Sequence, residues 1–164
     1  MGLNAYLTLK GQKQGDIKGS VTQKGRENSI LIHAFDNEIL SPRDPASGLP
    51  TGKRQHLPLV IVKEVDQSSP KLWTALVDNE TLITWELRFW ASGMPVAAAE
   101  KQIYTVILTN ASIASMHEFM KDNQVPSQAT LPLQEQISFT YQKIEWVWTE
   151  GAITAMDDWE APVS

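Results

Sequence analysis

Ile137-Ser-Phe-Thr-Tyr-Gln-Lys-Ile-Glu-Trp-Val-Trp148 is the stretch on which the fold turns. Ile137, Phe139 and Tyr141 alternate with Ser138, Thr140 and Gln142, the period of a half-buried strand. From Ile144 the apolar beat moves to Ile144, Trp146 and Trp148, a slip of one residue that sends the second half to the opposite face. Two readings account for the slip. A bulge near Gln142 and Lys143 keeps both halves on the core and bends the strand. Alternatively, the strand is covered on both faces near Trp146 and needs no bulge. A strand that bends and feeds two faces fits a barrel or folded-over sandwich better than a flat sheet.

The rest of the chain supports a β-rich fold. Residues 5–10 read as a short strand stopped by Gly11, and Gly15, Gly19 and Gly25 punctuate a polar segment with one short strand around Ile17. Residues 29–40 form a second apolar run, broken by Asp36-Asn-Glu38. Residues 57–65 form a third strand, with Pro58 tolerated near its start. The period then changes. Ser69 reads as an N-cap and Pro70 as the first helical residue, with Leu72, Trp73, Leu76 and Val77 at helical spacing, a helix of two or three turns. In residues 82–91, Ile83, Trp85, Leu87 and Phe89 point one way and Thr84, Glu86 and Arg88 the other. Gly93-Met-Pro95 reads as a turn, residues 101–120 as a strand pair or one interrupted strand, Val125-Pro-Ser-Gln128 as a loop, and residues 151–164 as a polar tail. The expected fold is mainly β, a two-sheet β-barrel or sandwich with one short α-helix, in a single domain spanning 1–164.

Between the second and third runs, residues 41–55 carry three prolines and two glycines without apolar periodicity. Long loops within compact domains usually have a task. This one reads either as a surface excursion or as an arm reaching a neighbouring subunit, its prolines lowering the entropy lost on docking.

With 164 residues and no cysteine, the chain can bury a core without disulfides and offers no thiolate nucleophile or thiolate zinc site. Its net charge of −5 argues against a nucleic-acid or anionic-membrane surface. No apolar run is long enough to span a bilayer. The opening Met1-Gly-Leu-Asn-Ala-Tyr6 lacks the layout of a secretory signal, so the expectation is folding in the cytoplasm and, if exported, export by a route that reads no cleavable leader.

Chemistry is harder to find. His33, His56 and His117 are far apart, outside metal-ligand spacing, and read as surface or rim residues; a serine-hydrolase elbow is absent. Gly48-Leu-Pro-Thr-Gly-Lys-Arg54 glances at a phosphate loop, but it is one residue short and has Arg54 where a hydroxyl should hold magnesium. Asp157, Asp158 and Glu160 read as a solvated acidic tail rather than a cation site. The expectation is no catalytic residue, cofactor or metal. Six tryptophans are many for this length. Trp85, Trp146 and Trp148 read as core or interface packing and Trp73 as sealing the helix to the sheet. Exposed rings stacking on sugars give the alternative function, a carbohydrate-binding β-sandwich.

Several segments in order carry a resemblance: Tyr6-Leu-Thr-Leu-Lys-Gly-Gln-Lys-Gln-Gly15-Asp-Ile17; Asp44-Pro-Ala-Ser-Gly-Leu-Pro-Thr-Gly-Lys-Arg-Gln-His56; Lys63-Glu-Val-Asp-Gln-Ser-Ser-Pro-Lys-Leu72 with Ala75 and Leu76; Leu108-Thr-Asn-Ala-Ser-Ile113; Tyr141-Gln-Lys-Ile-Glu-Trp146; and Asp157-Asp-Trp159. Together they resemble the Hcp (haemolysin-coregulated protein) family, tube subunits of the bacterial type VI secretion system. Leu57 departs from the family pattern, where a lysine stands between the His and Pro. The resemblance implies a barrel-like two-sheet body with a lateral helix, no catalysis, and homohexameric rings stacked into a tube without an added toxin domain. The implied partners are a contractile sheath, the VgrG spike and small effectors carried in the channel; nucleic acid and membrane insertion are not implied. The implied location is cytoplasmic when assembled, then the extracellular space or a target cell. On that basis the arm is expected to make ring-to-ring contacts, with Asp44, Ser47, Gly48, Lys53 and Arg54 as candidate interface residues. Ion pairs at such a surface contribute about 0–1 kcal/mol each, so affinity would come from summation around a ring.

Overall fold

The computed structural model describes residues 3–91 and 99–159. In chain order the strands are β1 (Leu3–Gly11), β2 (Gly15–Ile17), β3 (Ile30–Ile32), β4 (Ala34–Asp36), β5 (Ile39–Leu40), β6 (Gln55–His56) and β7 (Leu59–Glu64). The helix α1 (Ser69–Val77) follows. Then come β8 (Leu82–Ala91), β9 (Lys101–Thr109), β10 (Ser112–Phe119), β11 (Gln134–Thr140), β12 (Lys143–Trp148), a single 3-10 turn (Glu150–Ala152) and β13 (Ile153–Asp158). A seven-stranded sheet runs β13-β12-β9-β8-β1-β2, with β3 also on β1; a four-stranded sheet runs β10-β11-β7-β4; and β5 and β6 form a separate two-stranded arm. The two larger sheets face each other over one apolar cluster that includes Leu7, Leu9, Ile61, Leu87, Val106, Ile137 and Phe139. Trp85 from the large sheet meets Phe139 from the small one edge-on, with ring centroids 5.4 Å apart.

The period slip in the opening stretch comes from neither expected cause. β11 ends at Thr140 in the small sheet, the chain turns at Tyr141 and Gln142, and β12 begins at Lys143 in the large sheet. Ile137, Phe139, Tyr141 and Ile144 all reach the same core because the sheet changes where the phase changes. Besides the return from β7 to β8 through α1, two further passages run directly from strand to strand. One is at His33 between β3 and β4; the other is at Asn110 and Ala111 between β9 and β10, where Asn110 takes a φ of 51°. The expected strand pair over 101–120 therefore has its two members in different sheets. The run over 29–40 likewise divides into three short strands, one in each sheet.

The sandwich is borne out and the barrel is not: among the described residues, no ladder joins the ends of either sheet to close a ring. Three local expectations are corrected. Ile83 is 49% exposed because the register between β1 and β8 shifts at Lys10 and Gly11, placing Leu82 rather than Ile83 in phase with Trp85. Helix α1 buries Leu72 and Ala75 against the body, whereas Val77 faces solvent. Its first turn is held by Asp66, whose Oδ1 accepts from the Ser68 amide at 2.8 Å while the Asp66 amide donates to Ser69 Oγ at 3.0 Å. The expected polar tail contains β13, in register with β12 along its length. The expected turn at Gly93-Met-Pro95 lies outside the described residues.

Candidate assembly site: the hairpin arm and its anchor

The 41–55 loop is a hairpin rather than an unstructured excursion. Ile39 stands opposite His56 and Leu40 opposite Gln55, and a further bridge joins Arg43 to Pro50. Amide-to-carbonyl bonds continue the ladder to the tip: Thr51 to Pro42 at 3.0 Å, Asp44 to Leu49 at 2.8 Å and Gly48 to Asp44 at 2.8 Å. The Asp44 carboxylate organises that tip. It accepts from the Ala46 amide at 3.0 Å and from the Ser47 hydroxyl at 2.8 Å, the self-bonding habit of aspartate in turns. The Ala46 amide first, and the Ser47 hydroxyl second, hold its carboxyl below the usual range. Gly48 takes a φ of +72°, where a side chain would be strained.

The base of the arm is fastened to the other end of the chain. Arg54 donates from Nε to the Asp157 carboxylate and from Nη2 to the Asp158 carbonyl, the latter at 2.8 Å. His56 Nε2 lies 2.6 Å from Asp157 Oδ2, and His56 Nδ1 lies 2.8 Å from the Tyr141 hydroxyl. The imidazole is 6% exposed. Each ring nitrogen thus has one polar partner, the carboxylate at Nε2 and the phenol at Nδ1. Trp159 Nε1 donates to the Tyr141 carbonyl. Arg54 first, then His56, pulls the Asp157 carboxyl below its ordinary range against a smaller opposing effect of burial. A cleft of about 400 Å³ opens beside this cluster, with Leu57, Pro58, Tyr141 and Trp159 among its walls and Lys53 at its rim.

Asp157, His56 and Tyr141 stand in the order of an acid–base relay. The reacting end is unsuited to it. Burial first, and the Asp157 charge second, push the Tyr141 hydroxyl up to about 12, so it keeps its proton at neutral pH. This cluster holds two parts of the chain together. Among the described residues, no group of three or more His, Asp or Glu is placed to hold a metal ion.

Of the expected interface residues, Asp44, Ser47 and Gly48 come together at the tip. Lys53 sits on the exposed rim, whereas Arg54 is turned inward onto its own C-terminal strand. His56, expected at the rim, is buried, and Asp157, expected in a solvated tail, is its partner. Tyr141 and Trp159 complete a cluster that charge and spacing alone do not reveal. The available signal was that all four belong to segments carrying the family resemblance. Of the tryptophans, Trp85 is buried, whereas the exposed Trp148 and Trp159 lie at opposite ends of the β12–β13 hairpin.

The family model described as "Type VI secretion system effector, Hcp" matches residues 6–148. The chain belongs to the Hcp family. It is 35% identical over 173 aligned positions to the major exported protein of Pseudomonas aeruginosa, an alignment that spans all of this chain and 99% of that one. Among solved structures, it resembles a mutant form of Hcp1 from E. coli EAEC 042 (32% identity, TM-score 0.83, 96% of this chain and 99% of that one). An Hcp protein crystal structure superposes with a TM-score of 0.89 at 25% identity, covering 98% of this chain and all of that one. The Hcp family is one of structural secretion proteins rather than enzymes, and its two-sheet fold is the one described above.

Proposed function

We propose that this chain, acting as one domain over 1–164, is a tube subunit of a type VI secretion system. Six copies form a ring around a channel, the rings stack through the arm, and small effector proteins travel inside. A contractile sheath drives the tube and the VgrG spike caps it. The protein is assembled in the cytoplasm and delivered outside the cell without passing through a leader-dependent route.

Besides family membership, the observation that carries this reading is the arm. It is a Pro-rich hairpin pinned at its tip by Asp44 and at its base by the Arg54–Asp157–His56–Tyr141 cluster. A projection that is ordered before it meets a partner loses little entropy on docking. Asp44, Ser47 and Gly48 present the contact surface, Lys53 supplies a cation beside it, and Arg54 holds the arm in position. Head-to-tail contacts of this kind close into rings or continue as stacks.

Light scattering on a sizing column, with micrographs of the peak, tests the reading. A species near six times the 18.3 kDa chain mass, seen as annular particles, is expected. A monomer that persists at high concentration would overturn it. Replacing residues 41–54 by a short turn is expected to leave rings and abolish longer tubes; unchanged stacking would remove the arm from the stacking contact.

A further inference from the structure

Tyr6 points away from the core and is buried all the same. Ala5, Leu7 and Leu9 of β1 join the apolar cluster, and Tyr6 alternates with them, yet it is only 5% exposed. Residues 18–29 cover it. This strap leaves the sheet after β2, turns between Gln23 and Arg26, and returns as β3. Val21 is its single apolar side chain. The strap crosses β1 to lay the Arg26 guanidinium on two aromatic rings: Cζ is 4.3 Å from the ring centroid of Trp90 on β8 and 4.9 Å from that of Tyr6. Nη1 donates to Glu100 Oε2 at 2.5 Å and to the Tyr6 hydroxyl at 3.1 Å. Asn4, opposite Trp90 in register, donates to the other Glu100 oxygen at 2.8 Å. The Arg26 side chain is 8% exposed.

The guanidinium fills this cage incompletely. Arg26 Nε and Trp90 Nε1 are both buried and have no acceptor among the described residues, and an unmade bond of this kind is costly. Arg26 reaches one oxygen of Glu100 through one nitrogen, whereas a freely approaching guanidinium can present two nitrogens to a carboxylate as a fork. Behind its tip the strap stands clear of the body. A cavity of about 340 Å³ separates Val21 and Gln23 on the strap from Tyr6, Leu31, Glu64 and Asp66 beneath it. A polar segment with a cavity under it can open locally while the core stays intact. The carboxylates of Glu64 and Asp66 on the cavity wall favour an arriving cation.

We propose that the Tyr6–Trp90–Glu100 cage is a guanidinium-binding site that Arg26 closes from within, and that an arginine side chain presented by another protein takes its place when the strap lifts. Two aromatic faces and a carboxylate define the ligand as a planar cation that stacks and hydrogen-bonds in its own plane. An ammonium is a poorer match. Arg26 is then an internal competitor, which lowers the apparent affinity for an external arginine by the fraction of molecules that are open. The inference goes beyond the tube-subunit reading and stands independently of ring formation.

Isotope labelling of tryptophan, with Trp90→Phe to assign the Trp90 indole resonance, follows the cage directly. Nα-acetyl-arginine amide is titrated into the wild-type protein and into Arg26→Ala. In the variant the Trp90 resonance is expected to move saturably, and the wild type is expected to need at least about tenfold more probe because Arg26 competes. Nα-acetyl-lysine amide is expected to bind the variant more weakly, and Arg26→Ala with Glu100→Gln to lose the response. Should Arg26→Ala fail to fold, Arg26→Lys, which keeps the charge and loses the planar fork, carries the same titration. A folded variant whose Trp90 resonance does not move, an equal response in wild type and variant, or equal binding of the lysine probe overturns the proposal.

Discussion

Two polar clusters fasten appendages to the same sandwich, and they do so in different electrostatic surroundings. At α1, Lys63 and Glu135 face each other across β7 and β11, both side chains fully buried, with Nζ 2.5 Å from Oε1. Lys63 also donates to Ser69 Oγ at 3.2 Å and to the Glu64 carbonyl at 2.8 Å, and Ser69 donates to Glu135 at 2.7 Å. At the arm, Asp157 receives Arg54 and His56 but remains 26% exposed. The first cluster is sealed in the core, so its charges have no water to fall back on. The second stands at the surface, where solvent screens each charge. Cluster membership is comparable; the surrounding medium is what separates a fold requirement from a local fastening.

The largest effect is therefore expected at Lys63. Lys63→Met leaves the Glu135 carboxylate buried without its cation, a loss of about 3–5 kcal/mol, read as a lowered urea midpoint at unchanged slope. Lys63→Met with Glu135→Leu removes both charges and is expected to recover most of that stability. A single variant that unfolds like wild type would erase the distinction between the clusters.

The next effect belongs to the anchor. Asp157→Ala removes the acceptor for both Arg54 and His56, and for a partly exposed group the expected cost is about 1 kcal/mol after solvent screening. The more informative readout is hydrogen exchange. Amides over 39–56 should exchange faster while those of β7 and β11 keep their protection, since local opening need not involve the core. Uniform loss of protection would place the anchor in the global fold instead.

Acid should reproduce that variant in the wild-type protein. The Asp157 carboxyl is held below its ordinary range by Arg54 and then His56. Its contribution is thus complete above the unfolded carboxylate value of about 4 and is lost as pH falls through the lower folded value. Arm exchange in wild type is expected to rise only below about pH 4, and Asp157→Ala should flatten that rise. Acceleration beginning well above this window would assign the sensitivity to another group.

The same contrast separates what the sequence made legible from what it did not. Strand segments were readable because a one-sided strand must alternate, as Ile137, Phe139, Leu87 and Phe89 do. The helix was readable because Pro70 marks its start and Leu72, Trp73 and Leu76 change the period, although the N-cap is Ser68 rather than the expected Ser69. Sheet membership was not: a bulge and a change of sheet both move alternate side chains across the mean plane, and only the partner strands distinguish them. Ile83 faces solvent because of a register shift against β1, a fact held in another part of the chain. The anchor was hidden for the same reason. His56 meets Tyr141 and Asp157 across 85 and 101 residues, and no local pattern records such a pairing.

The smallest effect is expected at the arm tip, and it tests the comparison from the other direction. Asp44 makes as many hydrogen bonds as many anchor residues, but it is only half-buried and its side-chain bonds, to Ala46 and Ser47, stay within its own turn. Asp44→Ala should leave the melting temperature unchanged and speed exchange only at the Ala46 and neighbouring tip amides. In the assembled protein the outcome should differ, because a loosened tip must be ordered again at each ring-to-ring contact. Tubes of the variant are then expected to be shorter than wild type at equal concentration, with ring mass unaffected. If tube length is unchanged, the tip's internal bonds shape the hairpin without serving the stack, and the anchor alone would carry the arm's preorganisation.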